Sequence, residues 1–145
     1  MTDVPFPSDY MGRPRNPKWE RELLIWLQHQ PEHVRFTFLM DLMKCQEIVA
    51  LQLSHKSLNS RDSFVKILEF AVNSRDASSI RFWLETVVPR LGFRRTIDNL
   101  LRLSASNMAG VSKALYWLPR YATSDADRAK LAELTETVSP QGTSD

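Results

Sequence analysis

Apolar side chains recur along this chain mostly at intervals of three and four residues, the spacing that gathers them on one face of an α-helix. Asn16 followed by Pro17 reads as an N-cap with proline at the first helical position, and Trp19, Leu23, Trp26 and Leu27 extend the stripe to about residue 29. Pro31 ends that helix and can open the next, which runs to about Leu53. This second helix is apolar on two sides, with Val34, Phe38, Leu42 and Cys45 on one stripe and Phe36, Leu39, Met40 and Met43 on another, so it should be central and covered by neighbours. Beyond a polar turn at 54–60, Phe64, Ile67, Leu68 and Ala71 mark a third helix. The clearest stripe, Ile80, Trp83, Leu84, Val87, Val88 and Leu91, marks a fourth, with Gly92 at its expected C-terminal cap. Phe93, Ile97, Leu100 and Leu101 give a fifth; Met108, Val111, Leu115 and Leu118, N-capped by Asn107, give a sixth. A weaker seventh opens at Ser124, Asp125 and Asp127 and has only the thin apolar edge of Leu131 and Leu134.

The pattern therefore predicts an all-α chain of six or seven helices joined by short polar turns, for which antiparallel pairs are the natural geometry. Two pairs echo each other: Val87-Val88-Pro89-Arg90-Leu91 ends one helix, and Trp117-Leu118-Pro119-Arg120-Tyr121 ends another 30 positions later. Across roughly residues 60–122 this arrangement resembles HEAT or armadillo-type helical repeats, which implies a short right-handed α-solenoid binding partners on one face. A compact helical bundle is the other architecture the helices allow. Pro89 and Pro119 each remove a bond to the carbonyl four residues back, Glu85 and Leu115, so each is expected to kink or stop its helix.

The 145 residues suffice for one core, and the domain is expected over residues 17–137. Residues 1–16, with Pro5, Pro7, Gly12 and Pro14, read as an extended or disordered arm in which Phe6 and Tyr10 are possible anchors; residues 138–145 read as a disordered tail. Apolar residues make up 43% and charged residues 25%, which places the chain with globular proteins. Cys45 is the single cysteine, no N-x-S/T acceptor occurs, and neither a signal peptide nor a membrane span is readable, so a cytoplasmic protein is expected.

Candidate chemistry is sparse. His29-Gln30-Pro31-Glu32-His33 matches the H-x-x-E-H string of inverzincin-type metalloproteases, where both histidines bind zinc from one helix face. Pro31 lies inside the string and disfavours helical geometry at Gln30, so these residues read instead as an interhelix turn. Cys45 falls on the apolar stripe of the second helix and reads as a buried structural thiol, and His55 as a cation near a helix C-terminus. No phosphate loop, nucleophile elbow, CxxC pair or carboxylate dyad is visible, and no metal or cofactor is expected; an enzyme would need a site assembled across distant helices.

Charge supplies the remaining signal. Residues 1–76 are neutral overall, residues 77–122 carry seven cations against two carboxylates, and residues 123–145 carry two against five. Arg90, Arg94 and Arg95 flank the turn between the fourth and fifth helices, and Arg102 follows two turns later, in phase with Arg95. Planar guanidinium forks suit carboxylates and phosphates. The plain alternatives are a solvated face or docking of the acidic seventh helix over this block. The sequence thus predicts a non-catalytic helical interaction module whose partner is a protein, an acidic one being suited to the arginines, with nucleic acid or another polyanion at the Arg90–Arg102 region as the alternative.

Overall fold

The computed structural model describes residues 14–76 and 78–138, and the expectations for residues 1–13 and 139–145 lie outside them. The described residues form eight α-helices and one 3-10 helix, with no strand among them. The class is all-α. No helix among them is long and apolar enough to cross a membrane. The chain divides into two compact units, Met1–Ser63 and Phe64–Asp145.

In the first unit, α1 spans Pro17–Gln28, α2 Glu32–Met43 and α3 Glu47–Ser57. The Asn16 side chain accepts a hydrogen bond from the Lys18 N–H, so α1 starts as its sequence predicts, and Leu23 and Leu27 point into the core. The helix expected over 31–53 is instead two. At Lys44 and Cys45 the bonding shortens to carbonyls three residues back, and Gln46 leaves helical geometry with φ −142° and ψ 75°. A straight helix would have needed apolar cover all round; the break lets α3 fold back onto α2 and bury Leu39 and Leu42 with Val49, Ala50 and Leu53. This split accounts for eight helices where six or seven were expected. Cys45 sits in that turn, half-buried, rather than on a core stripe, and its thiol lies 3.9 Å from the Asp41 carbonyl.

Two side chains of α2 tie this unit together. The Arg35 guanidinium donates to the carbonyls of Gln28, Gln30 and Ser57, so one cation satisfies the C-terminal ends of both α1 and α3. The Glu32 carboxylate accepts from the Asn59 and Ser60 N–H groups and, at 2.7 Å, from the Ser63 hydroxyl, which caps the start of α4.

Helix α4 is Arg61–Ser74; the second unit continues with α5 Ile80–Leu91, α6 Phe93–Ser104, α7 Met108–Leu115, the 3-10 helix Leu118–Tyr121 and α8 Asp125–Val138. Consecutive helices pack as pairs, α5 on α6 and α6 on α7, and α8 returns across α6. Gly92 alone joins α5 to α6 at φ 93°, a conformation that glycine adopts without strain. Pro89 does not stop α5, which continues to Leu91; placed in the last turn, it forfeits one bond to the Glu85 carbonyl and leaves the helix little length to lose. Pro119 acts differently from its counterpart, because α7 ends at Leu115 and Pro119 opens the 3-10 helix.

Helix α7 lies hard against the end of α4. The Asn107 side chain caps α7 by accepting from the Gly110 N–H and donates to Asn73 and the Val72 carbonyl, while the Lys113 ammonium donates to the Arg75 carbonyl. A Cβ at Gly110 would stand 2.3 Å from the Val72 oxygen, so only glycine fits this approach. The final helix includes Val138, which is buried, as is Leu134.

Candidate functional site

The four arginines singled out by charge do not form one patch. The Arg90 guanidinium lies 5.5 Å over the Phe64 ring. Arg102 donates to Glu69 on α4 at 2.9 Å and to Asn99, so the cation in phase with Arg95 is neutralised by a neighbouring helix. Arg94 pairs with Asp127 of α8 at 3.3 Å. Arg95 is exposed, and no side chain among the described residues pairs with its guanidinium.

Arg94 and Arg95 do come together. With Leu91, Gly92, Phe93 and Asp127 they line an open depression of about 480 Å³ at the junction of α5 and α6. Two cations in the first turn of a helix face its positive pole, an arrangement that the helix itself disfavours. No side chain caps the start of α6, the end of the helix that carries the two guanidiniums. The depression is electropositive, and one carboxylate reaches it.

That carboxylate, Asp127, belongs to the acidic end of the chain, whose docking on the basic block was one of the two plain alternatives. It accepts from the Thr123 N–H and hydroxyl, and the Ser124 hydroxyl caps its N–H. The Thr123 N–H bond, acting against burial and with the Arg94 guanidinium, holds its carboxyl below the usual aspartate range. One turn further, Lys130 binds Asp98 on α6, which raises the ammonium above the usual lysine range.

Of the H-x-x-E-H residues, His29 to Pro31 form the turn between α1 and α2, and Glu32 and His33 open α2. His29 caps α1 with its ring Nδ1 2.8 Å from the Ile25 carbonyl, Pro31 separates the helices, and Glu32 is committed to the start of α4. No group of three or more potential metal ligands occurs among the described residues.

A second cluster was not legible in the sequence. Trp117 carries the Arg81 guanidinium 5.4 Å and the Arg120 guanidinium 5.2 Å from its ring centroid, with Tyr116 edge-on at 4.8 Å. Arg81 also lies 4.6 Å over Phe82. Trp117 and Arg120 are three residues apart, neighbours in any helical turn, and Arg81 reaches the same ring from α5. The doublet Tyr116-Trp117 followed by Arg120 was the available signal, and Trp117 to Tyr121 was read only as the echo of Val87 to Leu91.

Compared with models of known protein families, with curated proteins and with solved structures, the chain has no match.

Proposed function

We propose that this chain is a non-catalytic helical interaction module that binds an acidic segment of a protein partner, with Arg95 and the positive pole of α6 as the contact. The observation that carries the reading is an exposed guanidinium, with no side-chain partner among the described residues, beside an uncapped helix start in an open depression. A carboxylate entering there gains a bidentate partner and backbone N–H donors together. Helix pairs presenting such a surface fit a short helical-repeat scaffold of the HEAT or armadillo kind, and a lone half-buried thiol suits the reducing cytoplasm.

The test is binding of poly-L-glutamate and of a single-stranded oligonucleotide across about 0.05–0.2 M salt. The module should bind poly-glutamate with a shallow salt dependence, and Arg95→Glu should abolish that binding while Arg102→Glu, whose cation is already paired, leaves most of it. Poly-glutamate binding untouched by Arg95→Glu removes the depression from the account. Preferential oligonucleotide binding that falls about three hundredfold or more over the range, as six or more phosphate contacts on a single strand require, would transfer the function to nucleic acid.

A further inference from the structure

Helix α7 presents to solvent a strip that the other described residues leave uncovered. Met108, Ala109, Ser112 and Tyr116 are all exposed, and the spacing of Met108, Ser112 and Tyr116 places them along one side for about 12 Å. Met108 is 46% and Tyr116 76% exposed, the two large apolar side chains that face water among the described residues of this unit. The strip carries no charge, and it ends at the Trp117 cluster.

That end is cationic and short of acceptors. Neither Arg81 nor Arg120 has a carboxylate in ion-pair reach among the described residues, although both lie against the Trp117 ring. The Arg81 Nε–H and the Tyr121 hydroxyl are buried donors with no acceptor among the described residues. The charges of Glu85, Arg120 and Arg81 all act on the Tyr121 hydroxyl, which puts these groups in one neighbourhood with two cations against one carboxylate. A guanidinium stacked on an aromatic ring keeps its in-plane N–H groups free for a carboxylate. Tryptophan, tyrosine and arginine are also the residue types that dominate binding energy at protein interfaces.

We infer that the strip from Met108 to Tyr116, closed at one end by Trp117, Arg81 and Arg120, docks an extended segment of another protein that carries a large apolar side chain next to carboxylates. The apolar side chain lies along Met108 and Tyr116, and the carboxylates meet Arg120 and Arg81. A nucleic acid fits less well, because Trp117 is already covered by two guanidiniums and an edge-on ring, and the uncharged strip offers phosphates nothing. The inference rests on the reading of the chain as a protein-binding module and not on the α6 depression.

The experiment is selection from a displayed library of random twelve-residue peptides on the full chain, followed by titration of the enriched peptides. Enriched sequences should place Asp or Glu beside Phe, Trp or Leu, and Tyr116→Ala and Arg120→Glu should each weaken them about tenfold. Both side chains are exposed, so neither change threatens the fold. Arg95→Glu should leave these peptides unaffected. Enrichment of basic or featureless peptides, no enrichment at all, or acidic peptides indifferent to Tyr116→Ala and Arg120→Glu overturns the inference. Acidic peptides lost only with Arg95→Glu would overturn it while upholding the α6 depression. A single-stranded oligonucleotide displacing the peptides with steep salt dependence would overturn both.

Discussion

Gly110 shows how one residue can be read backwards from sequence alone. Within a helix alanine is intrinsically better than glycine, by up to about 1 kcal/mol, so Gly110→Ala in the first turn of α7 looks like a stabilising change. The backbone of α4 makes the opposite prediction, because the new methyl would lie 2.3 Å from the Val72 oxygen and 2.8 Å from a Val72 methyl. Backbone oxygen cannot rotate aside, and overpacking of this kind costs about 1–3 kcal/mol. Urea unfolding of Gly110→Ala should therefore show a net loss, and a gain would mean that α7 can lift from α4 without penalty. Residues whose partners are local were legible: Asn16, Asn107 and Gly92 each cap the helix end at which the sequence places them. Glu32 was not, since its partners lie 27 to 31 positions away. Cys45 was misplaced because its stripe belonged to a helix that does not exist as one piece.

At the scale of the element, periodicity located the helix starts marked by Asn16, Pro31, Gly92 and Asn107 and missed the start of α3, where no proline, glycine or capping side chain marks the chain. Between α2 and α3 the sequence reads Lys44-Cys45-Gln46, with no glycine or proline, and only the excess of apolar surface hinted that one helix could not bury it all. The weak stripe of α8 had the converse problem. Its apolar edge is thin because part of its hold on α6 is polar, through Asp127 to Arg94 and Lys130 to Asp98, pairs 33 and 32 residues apart that no local pattern reveals. Leu134 and Val138 supply the buried remainder. Asp127→Asn removes the charge that faces Arg94 and weakens the acceptor for the Thr123 N–H. Amide hydrogen exchange in the first turns of α8 should accelerate in this variant while α5 keeps its protection. Equal acceleration in both helices would show that α8 is not a separable element but part of one cooperative block.

At the scale of the whole molecule, the division into a neutral stretch, a basic block and an acidic end was readable by counting, whereas which charges neutralise which required the fold. The pairing leaves a definite signature in pH. Burial alone would raise the Glu32 carboxyl, but the Ser63 hydroxyl, the Ser60 and Asn59 N–H groups and the Arg35 charge together bring it below the ordinary glutamate range. Asp127 is lowered by the Thr123 N–H and the Arg94 guanidinium, and Asp76 by the Ser79 N–H and the Ser78 hydroxyl. A carboxylate whose folded pKa lies below its unfolded value contributes stability that is complete above the unfolded value, about 3.9 for Asp and 4.3 for Glu, and is lost as pH falls through the folded one. Lys130 has the opposite sign: raised by Asp98, it contributes fully below its unfolded value near 10.4 and loses that contribution only as pH rises through the folded one. Stability should accordingly stay level between these limits and decline below about pH 4. Glu32→Gln and Asp127→Asn sample the two compact units separately. Each variant should be less stable than the parent at neutral pH and converge with it in acid, where the parent's carboxyl is itself uncharged. Urea titrations at stepped pH measure the gap directly, and a gap that stays constant down to the acid limit would mean that the charge on Glu32 or Asp127 contributes nothing, leaving only the shape of the side chain to hold α4 or α8 in place.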